Sequence, residues 1–209
     1  MSRLAQQFHA CDNGDMVYIE NVDVSDERIA LASGVSVPRS WTIVVRGEEG
    51  VPGVIRMHVH FDEQFGRAVA AEVRVLRQGS GDEVTSLTLR EVRVQHALQV
   101  SGLKVSTVSE PDHPVATGED YIRRMRERTG RTMLQSVADA ARTYQLAAAL
   151  NLPPLRAVAD GLGISQSTAT RLMNRARTEG LAPGMNLPDP SATGPAVSLP
   201  YAGGPSIGR

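Results

Sequence analysis

The chain has 209 residues with 22 basic and 23 acidic side chains, a net charge of −1, and 41% hydrophobic content, which suits one large domain or two small ones. A lone cysteine, Cys11, excludes an internal disulfide and fits a reducing cytoplasm. No apolar run approaches the roughly 20 residues of a membrane span, and the opening MSRLAQQFHAC lacks the apolar core of a signal peptide. No membrane partner and a cytoplasmic location are therefore expected.

Aromatic residues make up only 4%, so a core must be built from Val, Leu, Ile and Ala. From Met16 the pattern is β-rich, with MVYIENVDV and WTIVVRG bounded by Gly34, Pro38, Gly47 and Gly50. The clearest hairpin joins VIRMHVHF to AVAAEVRVL across DEQFGR. Alternation puts Ile55, Met57, Val59 and Phe61 on one face and Arg56, His58 and His60 on the other. In the second strand the same alternation points Val69, Ala71, Val73 and Val75 inward, opposite Glu72 and Arg74. His58 and His60 share a strand face, but no third ligand stands at a recognisable spacing, so no metal site is expected. Further on, Thr85 or Ser86 is placed to cap a short helix through Arg90, and Val92 and Val94 start another element.

Residues 1–110 read as a small β-rich α+β domain, suited to dimerisation or sensing, and 111–118, with Pro111, Pro114 and Gly118, as a linker. Residues 119–182 then read as an all-α trihelical domain. Thr117 caps a helix to about Arg128 that carries the stripe Tyr121, Ile122 and Met125. Arg123, Arg124, Arg126, Arg128 and Arg131 crowd this segment, either to brace a DNA backbone or to solvate a connecting helix. Thr132 and Gln135 form a capping box, followed by Leu134, Val137, Ala138, Ala141, Tyr144 and Ala148 at helical spacing. Pro153 and Pro154 open the next helix, whose first turn needs no backbone donors.

The stretch LRAVADGLGISQSTATRLMN, Leu155 to Asn174, resembles a helix-turn-helix. Gly163 supplies a left-handed residue for the turn and Ser165 an oxygen to cap the second helix. Val158, Leu162, Ile164, Ala169 and Leu172 make an apolar underside, and small Ala159, four residues before Gly163, lets the two helices come close, with Ala169 standing where a larger aliphatic residue is common. Gln166, Ser167, Thr170, Arg171 and Asn174 project from the other face of helix 166–179. The resemblance implies that this helix enters the major groove of double-stranded DNA. Ser165, Gln166, Ser167, Thr170, Arg171, Asn174, Arg175 and Arg177 would then read bases or hold phosphates.

Charge is distributed accordingly. Residues 1–118 hold 11 basic and 16 acidic side chains, 11 − 16 = −5, whereas residues 119–182 hold 10 and 6, 10 − 6 = +4. A polyanion favours that second segment. After Gly180 the chain is rich in Pro and Gly, so no β-hairpin wing is expected and 183–209 read as a disordered tail. The segment RTYQLAAALNLPPLRAVADGLGISQSTATRLMNRARTEGLA also resembles the C-terminal part of helix-turn-helix proteins common in actinobacteria, their phages and mobile elements, with Ala176, Arg177, Gly180 and Leu181 as its closure. What this implies is a DNA-binding protein, a transcriptional regulator first and a phage or plasmid DNA-marking protein second, without a cofactor. No nucleophile elbow, phosphate loop or CxxC pair is present, so an enzyme is not expected. A protein-binding adaptor is the reading from another class. A homodimer is expected, because one trihelical unit contacts few base pairs.

Overall fold

The computed structural model describes residues 7–12, 15–78, 83–111 and 113–182, with the backbone alone before residue 18. The expected C-terminal tail, 183–209, lies outside the described residues. Five antiparallel strands, β1 (Gln7–Asp12), β2 (Asp15–Val24), β5 (Ser40–Arg46), β6 (Val54–Asp62) and β7 (Arg67–Leu76), form one sheet in the order β1-β2-β5-β6-β7. A smaller sheet pairs β3 (Arg28–Ala30), β4 (Val35–Pro38), β8 (Thr107–Val108) and β9 (Ala116–Thr117) in that order. Six helices follow β7: α1 (Ser86–Glu91), α2 (Val94–Val105), α3 (Gly118–Glu127), α4 (Met133–Ala149), α5 (Pro154–Leu162) and α6 (Gln166–Thr178).

The hairpin forms where its alternation placed it, with Ile55, Met57, Val59 and Phe61 all buried. Its second strand departs from expectation. The register runs Val59 to Ala70 and then His58 to Glu72, so Ala71 is an extra residue, a β-bulge. One inserted residue reverses the faces, and Ala68 and Ala70 turn inward where Val69 and Ala71 were expected. Beyond the bulge the expected phase returns, with Val75 against the core. Val73 shares the face of its partner Met57 but stays 39% exposed on this edge strand.

The inner face of the large sheet is covered by α2. Trp41 Nε1 donates to Ser101 Oγ at 3.0 Å, and Ser101 Oγ donates to the Leu98 carbonyl, so the buried indole N–H does not go unpaired. Gly102 lets α2 approach α4: a Cβ there would stand 2.5 Å from Leu150 Cδ2. Helix starts follow side-chain capping. Thr85, Thr117 and Thr132 each accept a backbone N–H from the third residue of their helix, and Thr85 and Thr132 complete reciprocal boxes.

The structure corrects the expectation of an all-α trihelical domain after a small β-rich one. The α+β class stands, but the helical part is not clearly a separate bundle. Tyr121 and Met125 of α3, Leu146 of α4 and Leu150 just after it are buried in the same cluster as Trp41, Ile43, Met57 and Val59 of the large sheet. Ala149 packs with Val37 and Phe61. Another face of α4, with Val137, Ala140, Ala141 and Tyr144, packs on α5 and α6. Ala116 and Thr117 pair with β8, and the Ser33 hydroxyl donates to the Leu181 carbonyl at 2.6 Å. Leu134, expected on the apolar stripe of α4, is 66% exposed.

Candidate nucleic-acid interface

Helix α5 ends at Gly163, whose φ of 66° is left-handed, and the N–H of Ile164 donates to the Ala159 carbonyl at 3.0 Å. A Cβ added at Gly163 would meet nothing within 4 Å, so glycine is required there by the backbone angle and not by space. Ser165 then caps α6, its Oγ accepting the Thr168 N–H at 3.2 Å. The same oxygen lies 2.9 Å from both Ser167 Oγ and Thr168 Oγ1. The hydroxyl of Ser165 is thus engaged in starting the helix.

The underside of the pair is made of small residues. Ala159, Ala169 and Ala176 are buried against Ala140 and Ala141 of α4, which allows the three helices to approach closely. Met173, not singled out from the sequence, is fully buried and supplies the bulk that Ala169 lacks. Val158 is buried and Leu162, Ile164 and Leu172 pack against this cluster.

On the outer face, Gln166, Ser167 and Arg171 are exposed, and Thr170 and Asn174 are half-buried. Thr170 Oγ1 donates to the Gln166 carbonyl at 2.9 Å, which commits its proton to the helix. Arg171 has no ion pair among the described residues. Arg175 differs, with Nε 2.6 Å from Glu179 Oε1 one turn on. Arg177 is exposed and lies near Tyr144, whose phenol pKa burial raises and the Arg177 charge opposes.

The arginines of α3 do something the sequence did not reveal. Arg123 pairs with Asp120 on the surface, but Arg124 and Arg128 turn to the carboxylate of Glu110, at 3.3 and 2.9 Å. Arg128, Arg131 and Arg142 approach Asp139 at 3.2, 3.4 and 3.6 Å, and both acidic side chains are at most 3% exposed. The Tyr121 hydroxyl donates to Asp139 Oδ1 at 3.3 Å. Burial first, then the Asp139 charge, push the Tyr121 phenol pKa up, so it stays protonated. The crowding of arginine was visible in the sequence. The partners of Arg124 and Arg128 stand 11 to 18 residues away, where helical spacing gives no hint of them.

In the sheet, Thr42 Oγ1 lies 3.0 Å from His58 Nδ1, so this imidazole is tied to its neighbouring strand. Among the described residues no three His, Cys, Asp or Glu side chains converge as a metal site would need, and no helix is long and apolar enough to cross a membrane. No family model matches the chain, and no curated protein or solved structure is detectably similar to it.

Proposed function

We propose that the chain is a sequence-specific DNA-binding protein of the transcriptional-regulator class, reading the major groove of double-stranded DNA with α6. The observation that carries this reading is the Ser-capped helix after a left-handed glycine turn, with Gln166, Ser167, Thr170, Arg171 and Asn174 along an outer face that holds no acid. Arg171 matches the two acceptors of guanine, and Gln166 or Asn174 the acceptor and donor of adenine. Arg175 and Arg177 lie further along the helix, suited to phosphates. The net +4 of residues 119–182 supports approach to a polyanion.

Selection of random duplexes by the full chain, followed by binding at several salt concentrations, tests the proposal. A recovered consensus whose affinity falls log-linearly with salt is expected. Failure to enrich any sequence, with no salt-dependent binding at micromolar protein, would remove the DNA-binding reading and leave the helical pair as a protein contact.

A further inference from the structure

Between α2, α3, α4 and α5 lies a cavity of about 350 Å³, within the range of small-molecule sites, roughly 300 to 1,000 Å³. Its walls are aliphatic, with Leu103, Ile122, Leu146, Leu152, Pro153 and Ala157 among them. Leu103, Ile122 and Leu152 pack on the large-sheet cluster on one side and are left half-buried on the other. Interiors are normally close-packed, so apolar walls around this much space are suited to a guest. Thr143 also lines the cavity, but its hydroxyl donates to Met125 Sδ at 3.1 Å, so the wall presents no free donor there. No aromatic ring among the described residues lines it, so there is no platform on which a flat guest would stack. Three exposed charged side chains complete the lining, Arg126, Arg156 and Asp160. Arg156 is answered by Asp160 one turn on, with Nε 3.6 Å from Oδ2. Arg126 has no ion pair or hydrogen bond among the described residues, so the lining carries one surplus positive charge.

We propose that this cavity binds a small aliphatic monocarboxylate, its chain laid along the aliphatic walls and its carboxylate held by Arg126. The walls supply the affinity, since each methylene taken out of water tightens binding by about fourfold. Arg126 supplies the selection. Its planar guanidinium offers a carboxylate two parallel hydrogen bonds, and one surplus charge matches a monoanion. A second acidic group on the guest would meet Asp160, which disfavours a dicarboxylate. The inference is independent of the DNA-binding proposal, because its readout needs no nucleic acid.

The test titrates the full chain with octanoate, with the shorter butyrate and with neutral 1-octanol, reading calorimetric binding and the thermal midpoint. Saturable binding of octanoate is expected, with butyrate weaker by about tenfold or more and octanol weaker by about fivefold. Arg126→Gln should bring octanoate down to the level of octanol and leave octanol itself unchanged, a split that a general loss of structure would not produce. Ala157 lines the same cavity, and Ala157→Phe should abolish binding of both by filling the space while keeping every charge. Should that variant fail to fold, Arg126→Gln decides alone, since its side chain is exposed and its loss leaves the core intact. No saturable octanoate binding in the parent chain, undiminished binding in a folded Ala157→Phe, or equal affinity of the parent for octanoate and octanol overturns the proposal.

Discussion

Arg171 and Arg175 lie on the same helix but in different electrostatic company. Arg171 has no ion pair among the described residues, whereas Arg175 must leave Glu179 before it can serve another anion. Arg171→Ala is therefore expected to weaken the preferred duplex by about 1 to 3 kcal/mol and to relax its base preference. Arg175→Ala and Arg177→Ala should weaken all duplexes alike and lower the salt slope. Competition binding with matched and mutated sites measures both effects, and unchanged preference in Arg171→Ala would mean that the outer face is misassigned. Gly163 gives a prediction about stability instead. Space is open around it, so Gly163→Val probes the φ of 66° alone and should cost about 1 to 3 kcal/mol, while Gly163→Asn should cost less. Thermal melts of the full chain compare the two, and equal stability for valine would show that the turn relaxes without a left-handed residue.

Among the elements, α4 determines how the molecule holds together. It buries Leu146, with Leu150 at its C-terminal cap, against the large sheet and Val137, Ala140 and Ala141 with α5 and α6. A fragment of residues 119–182 would uncover Leu146 and Leu150, which face Gly118 and Gly102, each contributing about 1.5 to 3 kcal/mol when buried. Together these are a large share of the stability of a typical domain, about 5 to 15 kcal/mol. The fragment should melt well below the full chain and bind a hydrophobic dye. A cooperative melt at the full chain's temperature would instead make it an independent unit. This dual role was hard to read in the sequence, because Leu146, Ala149 and Leu150, about half a turn round from Val137, Ala141 and Tyr144, sit in the unbroken apolar run LAAAL, which marks no second face. Local signals were legible: the caps at Thr85, Thr117, Thr132 and Ser165 depend on oxygens and N–H groups three residues apart. The bulge at Ala71 was not, since AVAAEV carries no glycine or other mark of an inserted residue. Met173 was missed because a methionine beside polar neighbours gave no reason to prefer it over Leu172.

In the assembled chain, opposite charge gathers at opposite ends of the sequence, −5 over residues 1–118 and +4 over 119–182. The acidic half is poorly suited to contact with DNA. Two linked reading heads multiply discrimination, so the working form is expected to be a homodimer joined through residues 1–110, on bound sites made of two related half-sites. Edge strand β7, with Val73 and Leu76 exposed, is one surface such a two-fold contact would use. Light scattering of the full chain checks this, and a monomer at the concentrations that saturate DNA would sink it. The pairing of β8 with β9 bears on a different property. Sequence on either side of residue 112 contributes to one sheet and one core, so severing the chain there would not yield two domains. Each piece would carry an apolar surface complementary to the other. Expressed separately, the halves are expected to behave as a split protein, inert alone and reconstituted on mixing.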